Sequence, residues 1–141
     1  MDSAAIDAAL VAYLRVDVTL AGLLPDGVWL DAAPQNSEVY TLVRLVESRD
    51  EGTFDGRGFE VVAYEVLAVG MSRAIDGATL AEGAARIDAL LDGAQVQPVG
   101  YPGPATVARV GRIRGALDLA DEDRSVRWFR RGGVYEVMAP N

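Results

Sequence analysis

Three places in the sequence gather residue types that could do chemistry. The first is "VESRDEGTFDGRGFEV", Val46 to Val61, where Arg49, Asp50, Glu51, Asp55 and Arg57 crowd around Phe54 among glycines. Acids and glycines this close suit a calcium loop or an anion nest, but the spacing excludes an EF-hand. That loop needs oxygen ligands at positions 1, 3 and 5, Gly at 6 and Glu at 12. A start at Asp50 puts Gly52 and Phe54 at the third and fifth places, and a start at Glu51 puts Val62 at the twelfth. Nor do Gly56 and Gly58 make a dinucleotide fingerprint, because a strand-like run follows them where that motif opens a helix. The second place is the pair Glu47 and Glu65 on neighbouring strand-like runs. Two carboxylates face to face can share a proton and act as an acid–base pair, whereas ion pairs with Arg44 or Arg112 would make them structural. The structural alternative is favoured. The third is "RWFRRGG", holding Arg127, Trp128, Arg130 and Arg131. Basic and aromatic residues interleave at single-strand binding surfaces, yet "DEDR" lies just upstream in an acidic chain. Trp and Arg are also the types enriched at protein–protein hot spots, and the stretch reads better as an interface patch.

Composition narrows the chemistry further. The 141 residues contain no histidine and no cysteine, which removes the commonest general base, thiolate nucleophiles, disulfides and thiolate zinc sites. The residues assign no catalytic, metal or cofactor site, and the expectation is a protein that is not an enzyme. A formal net charge of −8 opposes adhesion to nucleic-acid phosphates or acidic membrane surfaces. All 13 basic residues are arginine, which together with the alanine richness points to GC-rich coding. No basic segment followed by an apolar core opens the chain, and no apolar run reaches spanning length, so a soluble protein made in the cytosol is expected.

The elements that position these residues follow from periodicity. Ser3 can cap "AAIDAALVAYLR", with Ile6, Leu10, Tyr13 and Leu14 on one helical face. Asp17 can start the short helix "VTLAGLL", stopped at Pro25 and the Asp26–Gly27 turn. "VWLDAAP" reads as a short strand ended by Pro34. Two long β-rich runs, Val39 to Glu47 and Phe59 to Met71, flank the charged loop and predict a hairpin. The second run is apolar on both faces: Val62, Tyr64, Val66 and Ala68 on one, Val61, Ala63, Leu67 and Val69 on the other. Helices can cover one face, and a neighbouring subunit is expected over the other. "TLAEGAARIDALLDG" predicts a helix with Thr79 and Glu82 as a capping box, Leu80, Ala84, Ile87 and Leu91 buried, Glu82 paired with Arg86, and Gly93 as its stop. Gln95 to Ala105 is loop or irregular edge, and two strands close the chain around "ADEDR". The fold class is α+β: a mixed, mostly antiparallel sheet of about five strands with two main helices on one face, ordered α-α-β-β-β-α-β-β. Residues 1–141 are expected to form one domain.

The order of motifs resembles a known family. "DVTLAGLLPDGVWLDAAPQNS" supplies Asp17, Leu20 and Leu23, then Gly27, Val28, Asp31 and Pro34. The charged tip Ser48 to Gly58 follows, then a strand ending at Met71, Ser72 and Arg73, then the alanine-rich helix. This order is similar to that of the tail terminator (tail-completion, minor tail) proteins of long-tailed bacteriophages. It holds from about Asp17 to Leu91, with Met71 where that family more often has Trp, and the Gly132–Gly133 pair is not part of the pattern.

The resemblance implies a virion protein, assembled in the bacterial cytoplasm and lying at the head-proximal end of the tail. It implies a homo-oligomeric ring, generally a hexamer, that caps the tail tube, stops its polymerisation and offers a surface for head or neck joining. Its partners would be other copies of itself, the tube protein and a neck or head-completion protein, with DNA passing through unbound and no membrane. The tip residues Arg49, Asp50, Glu51, Phe54, Asp55 and Arg57 are the candidate partner-binding element, expected to dock on the adjoining ring with Phe54 as anchor and the charges setting register. The alternatives are a neck or head-completion ring and a small ligand-binding or carboxylate-dependent domain.

Overall fold

The computed structural model describes residues 3–52, 58–117 and 127–140. Helix α1 (Ser3–Arg15) and the short helix α2 (Val18–Leu23) lead into strand β1 (Val28–Leu30). The hairpin β2 (Val39–Gly52) and β3 (Gly58–Met71) follows, then helix α3 (Gly77–Leu91). The two-residue strand β4 (Gln95–Val96), β5 (Ala105–Leu117) and β6 (Trp128–Pro140) complete the chain. Among the described residues the strands join one sheet in the order β1-β2-β3-β6-β5-β4, with β1–β2 parallel and the other neighbouring pairs antiparallel.

Apolar patterning accounts for the layers. Ile6, Leu10 and Leu14 of α1, Leu20 and Leu24, and Leu80, Ile87 and Leu91 of α3 are at most 2% exposed. They pack on Val43, Val62, Tyr64, Val66, Tyr135 and Val137 of the sheet. Burial of this kind is worth about 1.5–3 kcal/mol per large side chain, and it holds the helices to one sheet face. Val61, Ala63, Leu67 and Val69 point to the other face, outside that cluster, yet are 2–7% exposed within a single chain. The chain buries this second row without a neighbour, so the apolar second face is no measure of a missing partner.

Local chemistry departs from expectation in two places. Asp76, not Thr79, caps α3: its Oδ1 accepts the Thr79 N–H at 2.7 Å. Arg86 does not serve Glu82 but reaches Asp17, where its Nε and Nη2 donate at 2.9 and 2.7 Å. A carboxylate held at a helix N-cap offers a fixed bidentate target, which an exposed i, i+4 glutamate does not.

Two bulges bend the sheet along one line. Val46 is the extra residue in β2 and Val110 the extra residue in β5, and both lie beside the rung Leu45–Tyr64–Tyr135–Arg109. Bulges raise local twist and bend the strand. Next to this rung, a Cβ on Gly132 would fall 2.0 Å from the Val66 carbonyl oxygen, and one on Gly133 2.7 Å from that of Gly111. The unexpected glycine pair is the residue type that lets the strands approach this closely.

Candidate functional site

The loop-forming motif at the start of the chain builds a rigid frame for the sheet edge. Asp17 caps α2 by accepting the Leu20 N–H at 2.8 Å. The Arg86 hydrogen bond, with the Leu20 amide and the Arg86 charge, holds its carboxyl below the usual range against the opposing effect of burial. Gly27 takes φ +97°, a conformation open to glycine, and turns the chain into β1. Asp26 then receives the Glu38 and Val39 amides at 2.8 and 2.9 Å. Arg15 donates two bonds to the Val28 carbonyl, at 3.0 and 2.7 Å, and lies 5.3 Å over the Trp29 ring. At the far end of β3, the Ser72 N–H bonds the Arg127 carbonyl at 2.8 Å, tying the Met71–Ser72–Arg73 turn to β6.

Two tyrosines of the bend rung carry their hydroxyls to the helices. Tyr64 donates to Asp7 of α1, and Tyr135 donates to Asp88 of α3 at 2.9 Å. Burial first, and the neighbouring carboxylate second, push both phenols well above their ordinary range. Arg109 donates to the other oxygen of Asp88 at 2.8 Å, so Asp88 joins helix, β5 and β6 at one point.

The charged tip is only partly placed. Arg49, Asp50 and Glu51 belong to the last rungs of the β2–β3 ladder, paired with Val61, Glu60 and Phe59. Phe54, Asp55 and Arg57 lie outside the described residues. Glu47 and Glu65 do not face each other: Glu47 pairs with Ala63, and Glu65 stands opposite Arg44, 3.9 Å from its Nε. The geometry makes Glu65 half of an ion pair. Among the described residues no group of three or more acids gathers to hold a metal ion.

The "RWFRRGG" stretch is divided between faces by strand alternation. Phe129 packs against the core, and Arg131 shares that helix-bearing face. Trp128 lies on the other side, its ring 6.4 Å from Tyr40, and Arg130 beside it reaches over Gly115. Arg127 precedes the strand and is exposed. The four residues do not form a single patch.

Arg131 instead joins a basic group that strict alternation hides. In "RVGRIRG" a regular strand would send Arg109 to one face and Arg112 and Arg114 to the other. The extra residue Val110 shifts the phase, so Arg109, Arg112 and Arg114 stand opposite Tyr135, Gly133 and Arg131 on one face. Together with Ala81, Ala84 and Ala85 of α3 they line a groove of about 450 Å³. Asp88 is engaged by Arg109 and Tyr135, and among the described residues no acid pairs with Arg112, Arg114 or Arg131. An arginine-lined trough in a chain of net charge −8 is a local basic patch that attracts anionic groups. A glycine within a strand-like "RVGRIRG" was the available signal of a bulge.

No family model matches the chain, and no curated protein sequence matches it. Solved structures do. The chain is similar to one from the "virion of native gene transfer agent (GTA) particle", at 22% identity and a TM-score of 0.70, covering 99% of this chain and 97% of that one. A second solved chain is 19% identical with a TM-score of 0.53, covering 97% of this chain and 96% of its own length. At such identities the likeness speaks for architecture, and this chain takes, almost end to end, a fold that a chain of that particle also takes.

Proposed function

We propose that the protein is a structural component of a phage-like particle, a tail terminator whose ring caps the tail tube and presents a surface for head or neck joining. The observation that carries this is the end-to-end fold likeness to a chain of the gene transfer agent virion. The motif order supports the finer assignment, since its members Asp17, Gly27, Val28 and Asp31 build one frame around α2 and β1. The acidic balance suits the wall of a channel through which DNA passes without adhering. Arg49, Asp50 and Glu51 stand in the last rungs of the β2–β3 hairpin, and Phe54, in the segment that joins the two strands, would anchor it on the adjoining tube ring while the charges set register.

Purified protein, alone or added to tube protein, should form rings with a central hole in negative-stain images. Deleting the gene should give overlong or headless tails. Normal tails with normal head joining in the deletion strain would sink the assignment. Pull-down with tube protein against connector protein separates a terminator from a neck ring.

A further inference from the structure

The sheet ends in two open edges that match each other. On one side β1 covers β2 only at Thr41–Val43, a contact ended by the bond from the Asp31 N–H to the Val43 carbonyl. Residues 44–52 have β3 on one flank and, among the described residues, no strand on the other. At the opposite side β4 covers β5 only at Ala105–Thr106, and residues 92–94 extend that cover to Arg109. Residues 110–117 have β6 on one flank and, among the described residues, no strand on the other. An open edge exposes a row of unpaired amides and carbonyls, which proteins ordinarily blunt with proline, lysine or an inward charge. Neither open half contains proline, and the chain contains no lysine. Leu45, Val46 and Val110 stand there 41%, 53% and 60% exposed. The β5 bulge lies where cover ends and the β2 bulge three residues past it, and beyond each the ladder to β6 or β3 runs in unbroken register.

We propose that these edges are the subunit contact: residues 110–117 of one copy pair antiparallel with residues 44–52 of a second copy. The direction is right. Neighbours from β2 to β5 are all antiparallel, so β2 and β5 run opposite ways, and two copies set side by side in one orientation bring the edges together antiparallel. The charge is right as well. The β5 edge holds Arg112 and Arg114 on the helix-bearing face and no acid, whereas at the register positions of that same face residues 44–52 hold Asp50, in line with Glu60, and no arginine. Pairing β5 with another β5 would set arginine against arginine, which is unfavourable across strands. A β2–β5 contact avoids that repulsion and joins unlike edges, so it is heterologous, the kind that closes a ring where the rotation closes. The open halves lie at opposite ends of the sheet, so successive copies are staggered along the strands, as strands are in a closed barrel.

The proposal rests on the ring-forming function above and is tested separately from it. Because the chain has no cysteine, full-length Val46→Cys and Gly115→Cys variants, whose sites face each other in this antiparallel pairing, can be treated with a flexible bis-maleimide. The mixture should give a cross-linked dimer that neither variant gives alone, and the double variant a ladder. Adding Arg112→Glu and Arg114→Glu to the Gly115→Cys variant should cut the mixed product roughly tenfold or more, with the melting temperature kept. Absence of a mixed product, or equal product from either variant alone, overturns the contact. Rings without the mixed product would overturn the edge contact alone, whereas the mixed product with normal tails in the deletion strain would overturn the terminator assignment alone.

Discussion

Asp17 accepts the Leu20 amide and both Arg86 donors, so one side chain caps α2 and clamps it to α3. Replacing it with Ala should cost about 1–2 kcal/mol in urea denaturation at neutral pH, and replacing it with Asn less, because Asn caps as well as Asp. The carboxyl is held below its ordinary 3.8. The native state therefore binds the ionised form preferentially, and that stability is complete above pH 3.8 and lost as pH falls through the lowered value. The advantage of the native chain over Asp17→Asn should shrink in acid. The tyrosines behave oppositely. Tyr64 and Tyr135 are raised above the ordinary 10.0, so their contribution is complete below pH 10 and lost as pH climbs beyond it. Melting temperature should drop above pH 10, and Tyr64→Phe should flatten that drop while costing about 1 kcal/mol at neutrality. An unchanged alkaline slope in Tyr64→Phe would contradict the assignment.

At the scale of elements the glycines discriminate. Gly132→Ala would drive a Cβ to 2.0 Å from the Val66 carbonyl oxygen in the middle of the sheet, a backbone clash that should cost about 3 kcal/mol or more. Gly22 of α2 faces open space, with nothing within 4 Å of where an alanine methyl would stand, and Gly22→Ala should stabilise by about 0.5–1 kcal/mol. Chemical denaturation of the two variants gives opposite signs if the geometry is right. These elements also mark what the sequence could tell. Apolar periodicity exposed α1, α3 and the β2–β3 hairpin because burial acts on every third or fourth residue of a helix and on both sides of a central strand. It was silent about the phase slip at Val110, since a single extra residue leaves composition unchanged while moving Arg112 and Arg114 to the other face. It likewise misassigned Arg86, whose partner Asp17 is close only after α2 folds onto α3. The charged tip is marked by its residue types alone, and Phe54, Asp55 and Arg57 lie outside the described residues.

For the whole molecule, the proposed assembly joins arginines to acids along exposed edges, and such contacts weaken as ions screen them. Raising salt should lower the assembled mass in light scattering, whereas an interface of apolar faces would be indifferent or strengthened. In the same assembly, Phe54→Ala with Asp55→Arg should weaken tube capping while leaving the melting temperature nearly unchanged, and intact capping would reduce the tip to a solvated turn. The bend rung has a consequence for how many copies close the ring. Both bulges flank Tyr64 and Tyr135, and those two residues are fastened to α1 and α3 through Asp7 and Asp88. In the proposed ring, the turn from one copy to the next would combine this bend with the angle of the subunit contact, and a fixed bend would narrow the range of copy numbers that close. Loosening the Tyr135–Asp88 fastening would then broaden the diameters of the rings seen in negative stain.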